Sequence, residues 1–306
     1  MADLEIINET DIKRRKYWVA ELKKISGHFG NDSLKLEDDL KNEIEKDGIE
    51  SLISHLRLCG AIPEEYRHDS TEEKLYSKYT DMLISHAFTR LGIISTVLKE
   101  RADVADVEGV TPNYSFVADA KAFRLSRTAK NQKDFKIQAM DNWKHGKTYA
   151  IVVCPIYQLP SSQSQIYQQA VARDVCIFSY NHLSVLVQYA NIDGEKQSQD
   201  LLLQILKCIN QMMPTKSSTT YWKTVNNQML SYSNKIQSLW SLEKKAYLDS
   251  IVVVKEEALT FMSSERERIM KLSKTDAIKQ LLNQSKINSK IRKINSFSDN
   301  GLMAYI

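Results

Sequence analysis

Asp119 and Lys121 stand one residue apart inside an apolar run, Val117-Ala118-Asp119-Ala120-Lys121-Ala122-Phe123. Such a run reads as a buried strand, where charge is retained only when it is paired or used. Side chains alternate across a strand, so Phe116, Ala118, Ala120 and Ala122 share one face, and Val117, Asp119 and Lys121 share the other. The carboxylate and ammonium are then neighbours, roughly 6–7 Å apart along the chain. That span suits one phosphate held between a metal-binding carboxylate and a cation. A second acid, Asp106, precedes the turn residues Glu108-Gly109 and Thr111-Pro112-Asn113. An antiparallel return through that turn brings Asp106 towards the end of the Asp119 strand. The blander reading is an exposed edge strand whose Asp and Lys pair in solvent, an interaction worth little.

Two converging carboxylates make a hard oxygen site for Mg²⁺, which takes few protein ligands and keeps several waters. Such an ion lowers the pKa of a bound water and offsets charge on a phosphate. Lys121 on the same face is placed to orient water and neutralise developing charge. At an ordinary lysine pKa of about 10.4 it is a poor base. Asp, a gap, then Asp-x-Lys is the arrangement of PD-(D/E)xK nucleases. The whole run 119–136, DAKAFRLSRTAKNQKDFK, resembles the HindIII restriction endonuclease family. Weaker similarity extends through residues 71–78, through 164–167 and to Phe178 and Ser179, within about residues 50–190. The resemblance implies an α/β PD-(D/E)xK core with Asp106, Asp119 and the Ala120 carbonyl as metal ligands and Lys121 as catalytic partner. It also implies Mg²⁺-dependent hydrolysis of double-stranded DNA at AAGCTT, with 5′-phosphate ends. A palindrome implies a twofold homodimer, and a restriction enzyme implies a companion methyltransferase that protects host sites. Two other readings stay open: a PD-(D/E)xK nuclease of repair or resolution, and a non-catalytic DNA-binding protein that keeps the fold.

Sequence readout needs donors and acceptors at base edges. Arg124, Ser126, Arg127, Lys130, Asn131 and Lys133 follow the catalytic strand directly. Arg suits guanine and Asn adenine in the major groove, while lysines suit phosphates. If residues 125–143 are one helix, Arg127 and Asn131 share a face. Three further acids are second-rank candidates for metal or water contact. Asp134 also reads as a helix-surface acid among lysines. Glu100 follows the first strand. Glu73 opens a helix, where a capping role with Ser70 explains it equally well.

The elements that position these residues follow from periodicity. Residues 10–30 read as an amphipathic helix carrying a basic cluster, Lys13-Arg14-Arg15-Lys16, on what reads as a solvated face. Residues 36–60 give one or two more helices, and a capped helix starts after Ser70 and stops at Gly92. Strands are expected at 93–98, 114–123, 148–154 and 175–179, with helices at 161–173 and from 183. That order suggests a mixed sheet flanked by helices. Beyond residue 196 the pattern is helical, although residues 251–254 alone could pass for a strand. The expected division is a catalytic and recognition core at 1–195 and a helical extension at 196–306 packed on the same domain.

Composition sets outer bounds. With 9 Gly and 5 Pro in 306 residues, a loop-rich or disordered chain is excluded. A net charge of +4 is too small to imply nucleic acid, but residues 120–147 hold eight Lys/Arg against two Asp. Four scattered cysteines lack a metal-type or C-x-x-C spacing and read as free thiols of a reducing cytoplasm. No targeting signal or membrane-length apolar run is found.

Overall fold

The computed structural model describes residues 4–98, 104–127 and 132–295. Three helices come first: α1 (Glu9–Glu21), α2 (Phe29–Asp47) and α3 (Ile49–Leu58). The basic cluster on α1 is not a solvated face throughout. Arg15 is buried and donates to the carbonyls of Leu58 and Ala61, to Tyr76, and to Glu257. Arg14 is held by Glu43 and Asp47. Both arginines are internal struts, and only Lys13 and Lys16 are exposed.

Helix α4 (Thr71–Arg90) starts where the Ser70 hydroxyl accepts from the Glu73 amide at 3.3 Å. The Glu73 carboxylate reaches back one residue further than expected, to the Asp69 amide at 2.6 Å. From Tyr79 to Phe88 the helix is buried almost all round, and its Phe88 ring meets Phe116 edge-on at 4.7 Å.

Strands β1 (Ile94–Val97), β2 (Val107–Val110) and β3 (Ser115–Ala120) form an antiparallel meander. Strands β4 (Tyr149–Cys154) and β5 (Val175–Ser179) add to it in parallel, giving a five-stranded mixed sheet in the order β1-β2-β3-β4-β5. The β4 and β5 runs are buried throughout and almost wholly apolar because parallel strands are covered on both faces. Strand β3 is therefore the central strand, and the edge-strand reading of Asp119 and Lys121 falls. Val107 pairs with Ala118, so Asp106, one residue earlier, lies opposite Asp119.

The connection from β3 to β4 is not the single helix expected at 125–143. Among the described residues it holds a 3-10 turn (Gln132–Phe135), a left-handed Lys136 (φ 48°, ψ 31°), and then the short α5 (Ile137–Asn142). The left-handed residue separates the 3-10 turn from α5; Arg127 lies in no helix, and Asn131 lies outside the described residues. Helix α6 (Gln165–Ala172) links β4 to β5. Helices α7 (Tyr180–Asp193), α8 (Glu195–Asn210) and α9 (Ser218–Leu230) follow, then α10 (Asn234–Met270), which contains residues 251–254 as helix. The end of the described chain is α11 (Lys274–Gln284) and α12 (Ile287–Asn295).

Two compact units divide the chain at Ala258 and Leu259. The first holds the sheet and its core. In the second, α11 buries none of its residues, and Leu281, Leu282 and Ile291 are exposed. Among the described residues no helix is long and apolar enough to cross a membrane.

Gly109 pairs with Phe116 across β2 and β3, and a Cβ there would run into the Phe116 ring. That ring is fully buried and cannot swing aside. Gly109→Ala should therefore lower stability by about 1–3 kcal/mol, read as a lower urea midpoint at unchanged slope. An unaltered midpoint would show that the hairpin tolerates a shift at this pair.

Candidate active site

Three elements deliver carboxylates to one place. Asp119 comes from β3, Asp106 from the residue before β2, and Asp81 from the buried stretch of α4. One ligand oxygen from each lies within 4.8 Å of the others. Asp81 and Asp119 are 3% and 1% exposed, while the Asp106 side chain keeps an opening to solvent. Asp81 Oδ1 also accepts from the Ala120 amide at 3.4 Å, which ties α4 to the end of β3.

Cations interleave with the acids. The Lys121 ammonium forms an ion pair with Asp119, and Lys78 Nζ stands 3.4 Å from Asp106. The Lys121 backbone is fixed on both sides, its amide donating to Val153 at 2.7 Å and its carbonyl accepting from Tyr180 Oη at 2.9 Å. All these groups line one cavity of about 560 Å³, together with Lys74 and Lys136.

Their electrostatics follow from burial and crowding. Burial, then the charges of Asp106 and Asp119, hold the Asp81 carboxyl well above the usual range against the pull of Lys78 and Lys121. Burial also raises Asp119. The Lys121 charge opposes that rise, and the hydrogen bond and charge of Asp106 add to it. Asp106 goes the other way: burial would raise it, but the hydrogen bond from Asp119 and the charges of Lys78 and Lys121 bring it below an ordinary aspartate. Burial would lower the Lys121 ammonium, yet the three carboxylates raise it, so it stays charged.

The donor set fits a hard divalent cation: three carboxylates converge on the cavity, and none of its described lining residues carries a thiol or imidazole. Asp119 lines the cavity, and its buried Oδ2 is the oxygen that pairs with the Lys121 ammonium.

The remaining sequence candidates lie elsewhere. Arg124 turns inward, donating to the Tyr66 carbonyl at 2.8 Å and pairing with Glu73 at 3.4 Å. Ser126 is held by its amide and hydroxyl on Glu64. Arg127 covers the Phe123 ring at 4.9 Å and pairs with Asp134, which draws Asp134 away from the carboxylate group. Glu73 sits with His68 and Asp69 in a separate, mostly exposed group. Glu100, Lys130 and Asn131, and the side chain of Lys133, lie outside the described residues. Asp81 is the candidate that sequence reasoning passed over. Its signal was an acid inside Tyr79-Thr80-Asp81-Met82-Leu83-Ile84, where a helix without a polar face gives an aspartate no solvent.

A mixed sheet with Asp-x-Lys on its central strand, an aspartate opposite and an acid from the preceding helix defines an α/β protein of the PD-(D/E)xK nuclease class. A sequence model of the HindIII restriction endonuclease matches residues 15–298. The type II restriction enzyme HindIII of Haemophilus influenzae is 33% identical over 287 residues, covering 86% of this chain and 93% of that enzyme. The chain belongs to the HindIII restriction endonuclease family and is, by that membership, a type II restriction endonuclease.

Asp81 holds its proton more tightly folded than unfolded. Stability therefore falls as pH rises from the unfolded value near about 4 to the raised folded one, then levels off. Asn keeps the acceptor for the Ala120 amide and has no proton to lose. In EDTA, Asp81→Asn should gain on the unaltered protein between pH 5 and pH 8, reaching about 1 kcal/mol or more. Equal urea midpoints across that range would remove Asp81 from the charge cluster.

Proposed function

We propose that this protein cuts double-stranded DNA at AAGCTT, using Mg²⁺ held by Asp106, Asp119 and the Ala120 carbonyl, with Asp81 as a third carboxylate. The observation that carries this reading is the convergence of three aspartates and a charged lysine on one cavity, within a chain of this family. Bound there, the ion supplies charge relief on the scissile phosphate and an acidified water. The chain's residues do the rest. Lys121, its backbone pinned by Val153 and Tyr180, keeps a fixed donor and positive charge beside Asp119. Because its pKa is raised, it acts as a cation that orients water and steadies developing phosphate charge, not as the base. In this reading water attacks the phosphorus and the P–O3′ bond breaks, leaving a 5′-phosphate and a 3′-hydroxyl.

Recognition is assigned to the segment after β3, with Arg127, Lys130, Asn131 and Lys133 as its DNA contacts. Arg124 and Ser126 join it on exchanging Tyr66, Glu73 and Glu64 for DNA, and otherwise brace its base. The palindrome supports a homodimer with one site per strand, in a cytoplasm where a methyltransferase shields the host's copies. The core lies within residues 1–195, with the later helices as its extension.

Incubation of the protein with plasmid DNA in Mg²⁺ and in EDTA, followed by sequencing of the ends, tests the reading. Discrete Mg²⁺-dependent fragments ending within AAGCTT are expected, and ends at another site would overturn the recognition assignment. Asp119→Ala should lose cleavage by at least about 10³-fold while still binding the duplex, and unchanged cleavage would overturn the catalytic one. A cation competes with protons for raised carboxyls, so the acid limb of the pH–rate profile should move to lower pH as Mg²⁺ is increased. A limb that ignores Mg²⁺ would place the titrating group outside the site.

A further inference from the structure

Lys136 occupies a left-handed conformation, φ 48° and ψ 31°, between the 3-10 turn and α5. A side chain with a Cβ is disfavoured there by about 1–2 kcal/mol, and glycine is the residue that adopts it freely. Lys136 is exposed, and among the described residues no ion-pair partner holds its ammonium. Its ammonium lies 5.2 Å over the Trp143 ring, and the residue lines the cavity that holds Asp106, Asp119 and Lys121. The indole, itself packed against the core, guides the chain of Lys136 towards that cavity. Strain kept at a residue facing a reaction cavity is a sign of use.

The other lysines of the cavity have different surroundings. Lys121 is committed to Asp119 and Lys78 to Asp106. Lys136 brings positive charge to the rim from the opposite side of the chain, after β3, where Lys74 and Lys78 come from α4. A nucleic-acid strand that places one phosphate at the carboxylates must carry its next phosphates along such a rim. A compact, hydrated ammonium is suited to a phosphate oxygen as a point charge.

We propose that Lys136 forms a phosphate subsite beside the reaction centre, binding a backbone phosphate of the strand being cut, next to the scissile one. The proposal rests on the nuclease reading above. The left-handed backbone and the place in the cavity lining belong to the same residue, so strain and binding do too. The subsite contributes affinity without sequence information, since a phosphate is present at every step.

Substitution separates the two contributions because they have opposite signs. Lys136→Gly removes the strain and the charge together, so it should unfold at the same temperature as the unaltered protein or higher. Binding to an AAGCTT duplex in EDTA should weaken by about 3–10-fold at low salt, with the slope of log affinity against log salt flatter by about 1. In Mg²⁺, KM should rise while kcat at saturating DNA holds. Lys136→Ala, which keeps the strain, should bind as poorly as the glycine variant but melt lower, and Lys136→Arg should keep the salt slope. A glycine variant with unaltered affinity and slope, or one that loses kcat at constant KM, overturns the subsite. If the unaltered protein neither binds duplex in a salt-dependent way nor cuts it, the nuclease reading fails, and the subsite with it.

Discussion

Three aspartates forced to within 4.8 Å of one another, two of them almost wholly buried, are the constraint on which the rest of the molecule depends. Two like charges about 4 Å apart repel by about 4 kcal/mol at an effective dielectric near 20. The fold tolerates this by placing Lys121 against Asp119 and Lys78 against Asp106, and by leaving Asp81 and Asp119 reluctant to ionise. A divalent cation relieves the same repulsion more completely. In the reading proposed above, the cluster trades stability of the bare protein for a place that holds a cation.

Everything around β3 serves to hold that crowd in register. Pairing with β2 sets Asp106 opposite Asp119, and pairing with β4 pins the Lys121 amide on Val153. Gly109 leaves room for the Phe116 ring, which in turn packs on Phe88 of α4, the helix that brings Asp81. Tyr180, at the start of α7, closes the far side on the Lys121 carbonyl. A slip of one residue in the β2–β3 register would carry Asp106 to the other face of the sheet.

The sequence made the centre of this arrangement legible and its edges less so. Alternation in the β3 run placed Asp119 and Lys121 on one face, and the hairpin argument brought Asp106 to them, because short-range pattern and turn chemistry decide both. Asp81 escaped because helical periodicity locates apolar contacts and says nothing about which acid on a fully buried helix meets the sheet. Residues 125–143 misled for a different reason. Their spacing is helical, yet Lys136 adopts a backbone conformation that residue type does not announce, and α5 is the α-helix found among the described residues there. Arg14 and Arg15 looked like a surface cluster, and only tertiary contacts with Glu43, Asp47 and Glu257 reveal them as internal.

The most direct measurement of the central claim is anomalous diffraction from crystals grown with Mn²⁺ in place of Mg²⁺. The account predicts a peak among Asp81, Asp106 and Asp119, at bonding distance from an oxygen of Asp106 and of Asp119, with the Lys121 ammonium displaced from Asp119 Oδ2. A peak elsewhere on the protein, with the Lys121–Asp119 ion pair intact, would contradict it.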